Sequence, residues 1–133
     1  MIWRNAEMAA RNCITNVRRK KMSEASHTTG KLAKVKWIAL GSGGVDVNRA
    51  VIEPLPANNK LRNEVVRREY TSSTKKSDTC YEYELRLGEL EYVGTYFSEM
   101  ALIDEDGDVI AFSNFLEKGK DETEVSFFIE DNY

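Results

Sequence analysis

The residues with the most evident chemical potential are four acids around one glycine, in the run Asp104-Glu105-Asp106-Gly107-Asp108. Closely spaced carboxylates with a glycine are typical of EF-hand calcium loops, which need glycine after the third acid and a bidentate glutamate at position twelve. Here Val109 follows Asp108, and the twelfth position is Phe115. We therefore interpret the run as the acidic tip of a turn and predict no metal site.

A second candidate is the glycine-rich run Gly41-Ser42-Gly43-Gly44, because glycine-rich turns that follow strands can cradle phosphates. The run lacks the lysine and hydroxyl residue of a P-loop, and it lacks the GxGxxG spacing of a dinucleotide site. We expect these glycines simply to permit a tight chain reversal. No cofactor is predicted.

Isolated reactive residues are also present. His27, the only histidine, lies in the polar connector SHTTG without metal-ligating partners, so we predict a solvated loop residue. Cys13 and Cys80 have no metal-type spacing and are expected to be small buried hydrophobes. Arg67 and Arg68 are adjacent in a predicted strand, so they point to opposite faces and cannot grip one phosphate together.

The remaining carboxylates fall at predicted turns and on the polar faces of predicted strands, where we expect them to be solvated. A glycosidase-type pair would be assembled by the fold rather than by local spacing, so that alternative stays open. The sequence contains no GxSxG or HExxH motif. We predict that the chain is not an enzyme, and we assign no catalytic, cofactor-binding or metal-binding residue.

The acidic tip is positioned by two apolar runs, residues 99–103 and 109–115, which predict a β-hairpin with a type I′ turn at Asp106-Gly107. Ile110 and Phe112 alternate with Ala111 and Ser113, so we expect one packed face and one small or polar face. This hairpin is expected to lie centrally in the sheet.

The N-terminal segment, residues 1–30, has helical character. Apolar residues recur at three- and four-residue steps through residues 3–22, namely Trp3, Ala6, Ala10, Cys13 and Val17. The alternative is a break at Thr15 or Asn16, either of which can cap a helix that runs to about Ser26.

Residues 31–133 predict an antiparallel β region. We expect a strand at residues 35–40, a loop over 41–60, a long strand over 63–74, and a polar turn at 75–78. Residues 67–73 would form a hairpin with Cys80–Leu87, whose acids face solvent. Residues 88–95 form a connector with Leu90, Tyr92 and Val93 packed beneath it. Residues 116–121 form a loop, and 122–130 a last strand with Val125, Phe127 and Ile129 on one face.

Length and composition fit one domain, residues 1–133, that can bury a core without disulfides: the hydrophobic fraction is 41% in 133 residues. No apolar run is long enough to cross a bilayer, and the N-terminus lacks the apolar region of a signal peptide. We therefore expect a protein without a membrane partner that is kept in a cytosol or in a particle assembled there. The predicted fold class is α+β: an N-terminal helix or helices, then an antiparallel sheet of about six strands, with a β-sandwich as an open alternative.

Charge is distributed unevenly. Residues 1–37 hold nine Lys and Arg against two acids, whereas residues 104–133 hold ten acids against two lysines. Such asymmetry can mark a nucleic-acid-binding arm or a head-to-tail contact between copies. We favour a third interpretation, in which the two ends lie against each other in one fold, because Met22 and Trp37 interrupt the basic run.

The hairpin stretch resembles the segment EIGLFD-x-DGxLIAVxNF of the N-terminal domain of phage tail-collar fibre proteins. Here it reads Glu99-Met100-Ala101-Leu102-Ile103-Asp104, Asp106-Gly107-Asp108, Val109-Ile110-Ala111 and Asn114-Phe115. Three further motifs lie upstream in the family's order: Ile14-Thr15-Asn16 is similar to ITNAG, IALGSGG at 38–44 to MAVGDGG, and LRNEVVRR at 61–68 to LxNEVYR. The resemblance spans most of the chain from Ile14. Val17-Arg18 departs from the Ala-Gly that is usual in the family, which leaves the helix boundary open.

The resemblance implies a phage or prophage tail structural protein, similar to the virion-proximal domain that docks a tail fibre onto the baseplate. The implied binding elements are loops such as residues 41–60 or the hairpin tips. The implied setting is the virion tail, assembled in the bacterial host cytoplasm, with tail proteins as partners and a homo-oligomer, a trimer if fibre-like. Because no shaft follows Tyr133 in this sequence, receptor recognition is not carried over, and a stand-alone prophage component is an alternative.

A rival interpretation uses the basic N-terminal segment in a small ligand- or nucleic-acid-binding β domain. Nucleic-acid binding would weaken steeply with added salt, whereas a structural subunit would show no such affinity. We regard nucleic acid as the less favoured partner.

Overall fold

A computed structural model describes Trp3 and residues 10–133. Eight strands, one α-helix and one π-helical turn make up the described elements. They are, in chain order, β1 (Arg11–Ile14), α1 (Asn16–Glu24), the π-helical turn (Ala25–Thr29), β2 (Val35–Gly41), β3 (Glu64–Glu69), β4 (Ser72–Ser77), β5 (Cys80–Leu87), β6 (Tyr96–Asp104), β7 (Val109–Gly119) and β8 (Val125–Asn132).

The strands form two antiparallel sheets that share one core. The larger sheet has the order β1-β7-β6-β2-β3, and the smaller has the order β4-β5-β8. Buried side chains of both sheets belong to one apolar cluster, which includes Leu40, Met100 and Phe115 from the larger sheet and Leu85 and Phe127 from the smaller. The described chain is therefore mainly β, with eight strands rather than about six. The single-domain organisation stays a prediction.

The predicted central hairpin is confirmed as β6 and β7, which lie in the interior of the larger sheet. Its turn differs from the prediction, because Gly107 has a positive φ of 89° whereas Asp106 does not. The Gly107 N–H donates to the Asp104 carbonyl at 2.9 Å, and the Asp104 N–H donates to the Asp108 carbonyl at 3.0 Å. The result is a three-residue turn closed by a left-handed glycine, the next most common hairpin connection after the two-residue turns.

A β-bulge at Ile110 changes which residues of β7 share a face. The register pairs Leu102 with Ala111 but Ile103 with Val109, so Ile110 is an extra residue. Ile110 consequently belongs to the core between the sheets, while Phe112 packs in a second apolar cluster. The predicted shared face of Ile110 and Phe112 is wrong.

The prediction of a continuous N-terminal helix is also wrong for the part that the structure describes, since Arg11–Ile14 is a strand paired with β7. The alternative break at Thr15 and Asn16 is confirmed: Thr15 is the N-cap of α1, and its side chain accepts from the Arg18 N–H. The helix ends at Glu24 and continues as the π-helical turn. Ala6 of the predicted stripe lies outside the described residues.

The long strand expected over residues 63–74 is two strands in two different sheets. β3 pairs with β2 in the larger sheet, and β4 pairs with β5 in the smaller. The chain crosses between the sheets at Tyr70 and Thr71, where the Tyr70 ring packs against Tyr83 with centroids 5.0 Å apart. The hairpin with β5 therefore uses β4 and not Arg67, and residues 75–77 are strand rather than turn.

The strand expected at 35–40 is confirmed as β2, and the last strand as β8, with Val125, Phe127 and Ile129 buried. Two neighbouring predictions are wrong. β7 continues to Gly119, where a loop was expected from residue 116. Leu90, Tyr92 and Val93 are exposed rather than packed beneath the connector that carries them.

Candidate protein-binding surface

The acidic tip is occupied by a side chain of the protein itself. The Lys21 ammonium lies 2.8 Å from Asp104, 3.0 Å from Asp106 and 2.6 Å from Asp108, measured to one carboxylate oxygen of each. These hydrogen bonds raise the pKa of Lys21 despite partial burial. The tip therefore holds α1 against the hairpin. In the part of the chain that the structure describes, no group of three or more His, Cys, Asp and Glu is arranged to hold a metal ion.

A second ion pair joins the basic and acidic parts of the chain. Arg18 is buried in the first turn of α1, and its Nη2 donates to Asp131 Oδ2 of β8 at 3.1 Å. The same group contacts the Tyr133 hydroxyl. Arg18 and Lys21 thus pair with the acidic C-terminal half, which confirms for these two residues that the oppositely charged ends lie together in one fold.

The other reactive residues lie in separate elements. His27 is exposed in the π-helical turn. Cys13 lies half-buried on the edge strand β1, and Cys80 is buried at the start of β5; both are free thiols. Burial is the main cause that raises the pKa of each thiol, which keeps both in the neutral, less reactive form.

The prediction that the strand carboxylates are solvated is wrong for several of them. Buried acids are Glu82, Glu84, Glu99, Asp104 and Asp131. Burial by itself would raise the pKa of Glu84, but hydrogen bonds from Ser126 and Ser72 outweigh it and lower the pKa. Glu84 is thus held as a carboxylate within the smaller sheet, on the face that was expected to be wet.

Three glycines at and just after the end of β2 are required by close packing rather than by a reversal alone. A Cβ on Gly44 would lie 2.0 Å from the Ser98 carbonyl oxygen, and one on Gly41 would lie 2.3 Å from the Asn63 carbonyl oxygen. A Cβ on Gly43 would lie 2.7 Å from Glu99 Oε2. No other residue type fits at these distances, so the run lies directly against β6.

Glu99 is the group that this packing surrounds. Its Oε1 accepts the Asn63 N–H at 2.9 Å, and its Oε2 packs against Gly43, where an added Cβ would lie 2.7 Å from it. Burial is the main cause and raises the pKa of Glu99, although the hydrogen bond from the Asn63 N–H opposes it. We call Glu99 with Gly43, Arg62 and Asn63 the Glu99 clasp, since it ties both ends of the 41–60 loop to the central strand.

The 41–60 loop projects from this clasp. Besides the isolated bridge between Val45 and Val51, it is held by the Ile52 N–H, which donates to the Gly44 carbonyl at 2.9 Å. Asn114 of β7 donates from its side chain to the Ile52 carbonyl at 2.8 Å. The loop nevertheless presents apolar side chains to solvent, because Val47 is 97% and Leu55 57% exposed.

A shallow groove of about 390 Å³ lies beside the loop. Its lining includes apolar residues, namely Pro54, Leu55, Leu61 and Phe112, and polar residues such as Asn58, Asn59, Lys60 and Asn114. A groove of mixed polarity next to exposed apolar residues on a fixed loop is a surface suited to protein contact.

The four motifs quoted above meet on the β6–β7 hairpin. The glycine run and residues 61–68 join Glu99 through the clasp, and Thr15 donates from its hydroxyl to the Val109 carbonyl at 2.7 Å. Residues 8–128 match the family described as phage tail-collar fibre protein, N-terminal. The chain belongs to this family. No curated protein and no solved structure matches the chain significantly.

Because the chain belongs to this family, it is a phage tail structural protein of the tail fibre type. Among the residues described, a bilayer-spanning helix of sufficient length and apolar character is not found.

Sequence reasoning missed the role of Glu99. The available signal was an isolated acid in the otherwise apolar run FSEMALI.

Proposed function

We propose that this chain attaches a tail fibre to the baseplate or to a neighbouring tail protein, and that the 41–60 loop is its contact surface. The observation that carries the proposal is that the loop exposes apolar side chains while hydrogen bonds hold its backbone in place. Val47 and Leu55 face solvent, while Asn114 holds the middle of the loop at Ile52 and Glu99 holds the chain just after the loop at Asn63. A preformed loop loses little conformational entropy on binding, which favours a stable joint.

The role that we infer is structural rather than catalytic. Glu84, Glu99 and Asp104 each accept hydrogen bonds from groups within the fold, which supports a scaffolding use of these carboxylates. We also infer location in the virion tail, assembly in the host cytoplasm and self-association, as the family of fibre proteins leads one to expect. Light scattering of the purified chain tests the self-association.

Reconstitution tests the contact surface. Tails purified from a strain that lacks this chain are mixed with the purified protein, and the bound fraction is measured by co-sedimentation. The Val47→Asp/Leu55→Asp variant is expected to bind at least about tenfold more weakly, since charged groups would enter an apolar contact. The matched control is Leu32→Asp, which changes a 38% exposed leucine outside the loop.

Two results would contradict the proposal. One is a wild-type chain that fails to bind the depleted tails. The other is a loop variant that binds as tightly as the wild type. Binding that vanishes with moderate salt and is replaced by binding to DNA would instead favour the rival nucleic-acid interpretation.

A further inference from the structure

The segment between β5 and β6 exposes an unusual density of apolar side chains. We call residues 88–96 the 88–96 connector. Within it, Leu90 is 80% exposed, Tyr92 37%, Val93 47% and Tyr96 55%. Scattered single apolar residues on a surface are ordinary, but four within seven consecutive positions form a patch that calls for a partner.

The exposure does not come from a lack of structure. Glu91 accepts the Gly88 N–H at 2.8 Å and is held by the Arg68 guanidinium, with Nη1 at 3.1 Å. Arg68 also lies over the Tyr92 ring, 5.6 Å from its centroid. The connector is thus fastened to β3 by one arginine, and the Leu90 and Val93 side chains remain on the outside.

A second set of bonds fastens the connector to the end of β7. The Gly94 N–H donates to the Lys120 carbonyl at 2.7 Å, and the Lys120 N–H donates to the Thr95 carbonyl at 2.8 Å. The Lys120 ammonium is buried and donates to the carbonyl oxygens of Glu89, at 3.0 Å, and Asp121, at 2.7 Å. The connector and residues 119–121 are therefore one unit.

Two residues with an unfavourable backbone conformation lie in the connector and in the 41–60 loop. Among the residues that the structure describes, the non-glycine residues with positive φ are Tyr92, at 53°, and Arg49, at 63°. Arg49 belongs to the 41–60 loop and pairs with Glu117 at 3.0 Å, two residues from the glycine against which Tyr96 packs. Such conformations are costly and concentrate at binding sites, where the surrounding structure enforces them.

The charges around the patch define the chemistry of its partner. Glu89 of the connector is an exposed acid, and so are Asp121 and Glu122, which follow Lys120, the residue bonded to the connector. The nearby cations are already engaged: Lys120 is buried by its carbonyl partners, and the Lys118 ammonium lies over the Trp3 ring at 5.6 Å from the centroid. An acidic border around an apolar patch complements an apolar surface bordered by lysine or arginine.

We propose that the 88–96 connector is a second docking surface, which takes an apolar patch bordered by basic side chains on a tail protein. This inference rests on the proposed function, and it adds a contact that is separate from the 41–60 loop. Leu90 and Val93 supply the apolar contact, and Glu89 and Glu122 orient the partner.

The test uses the same depleted tails and two new variants. Leu90→Asp/Val93→Asp is expected to weaken co-sedimentation at least about tenfold, as loss of a central apolar contact does. Glu89→Lys/Glu122→Lys is expected to slow association, and the wild-type rate should fall with added salt while the variant rate should not. Leu32→Asp again serves as the control, and equal urea midpoints show that the variants are folded.

The possible outcomes separate the two proposals. If the connector variant binds like the wild type while the 41–60 loop variant does not, the connector inference is overturned and the proposed function stands. If the wild type does not bind, both fall. If Leu90→Asp/Val93→Asp changes only self-association in light scattering, the patch contacts a second copy of the chain, and the inference of a tail-protein partner is overturned.

Discussion

The Asn63 backbone N–H donates a 2.9 Å hydrogen bond to Glu99 Oε1 and thereby joins the end of the 41–60 loop to the central strand β6. Gly43, near the other end of the loop, packs against Oε2 of the same carboxylate. One buried side chain thus contacts the chain at both ends of a long segment that has little regular structure of its own. This relationship explains why an acid is placed in the apolar run of β6.

The first prediction concerns removal of this carboxylate. Glu99→Ala should lower the free energy of unfolding by about 1–3 kcal/mol, because it leaves the Asn63 N–H without its acceptor. Urea denaturation measures the change. Equal midpoints for variant and wild type would show that the clasp contributes nothing to stability.

The second prediction is the pH dependence of the clasp. Burial raises the pKa of Glu99 above its ordinary value of 4.5, so the folded protein holds this proton more tightly than the unfolded chain. The contribution of Glu99 to stability is therefore fully present below pH 4.5 and declines as the pH rises through the folded pKa. The free energy of unfolding of the wild type should therefore fall relative to that of Glu99→Gln as the pH rises from about 4 to about 7, a range that starts near the ordinary glutamate pKa. Paired urea titrations measure this difference. A difference that moves in the opposite direction would contradict the assignment.

The third prediction tests the close approach of the glycine run. Gly44→Ala should destabilise the fold by about 1–3 kcal/mol or more, because its Cβ would collide with the Ser98 carbonyl. Gly88→Ala is the matched control, since its Cβ would meet only the Glu91 side chain, at 3.3 Å. Thermal denaturation of both variants checks the contrast. Similar melting temperatures for the two would argue against a packed glycine run.

The fourth prediction concerns the lysine in the acidic tip. Lys21→Ala should cost about 2 kcal/mol or more, because Asp104, whose side chain is fully buried, loses its only cationic partner among the described residues. Lys20→Ala removes a neighbouring charge whose contact with Glu24, at 4.0 Å, is exposed, and it should change stability little. Chemical denaturation of the pair decides the matter: equal losses would mean that Lys21 acts only through the overall charge of the helix.

The fifth prediction concerns the anchor of the 88–96 connector. The Arg68 guanidinium, together with the Gly88 N–H, lowers the pKa of Glu91 to about 2. A lowered pKa stabilises the fold above the ordinary value of 4.5, and that contribution is lost as the pH falls through the folded pKa. Arg68→Ala should return the Glu91 titration toward its ordinary value, as carboxyl ¹³C NMR would show. An unchanged titration would mean that Arg68 does not hold the connector.

The β6–β7 hairpin and strands β2, β5 and β8 could be predicted because apolar patterning and an Asp-Gly turn are local signals. The crossing at Tyr70 could not be predicted, since residues 64–77 are β-compatible throughout and give no turn signal, whereas the structure shows Tyr70 packed on Tyr83. The bulge at Ile110 adds one residue without altering composition, so the alternation of β7 pointed to the wrong face.

The candidate surface was predictable in part. Residues 41–60 were recognised as a loop and named as a contact region, but the reason for the glycines lies in Ser98 and Glu99, which are distant in sequence. Leu90 and Val93 were expected to be packed because they are apolar. Whether such residues are covered depends on the placement of other elements, which no local pattern encodes.

Lysine-directed cross-linking of intact tails, followed by mass spectrometry, tests the central claim most directly. Lys60 lies in the 41–60 loop, whereas Lys75 and Lys76 are exposed on β4 of the smaller sheet and serve as internal references. We predict that Lys60 forms cross-links to another tail protein and that Lys75 and Lys76 do so less. Tails that contain the chain but show Lys60 modified only by hydrolysed reagent, with partner cross-links confined to β4, would contradict attachment through the loop.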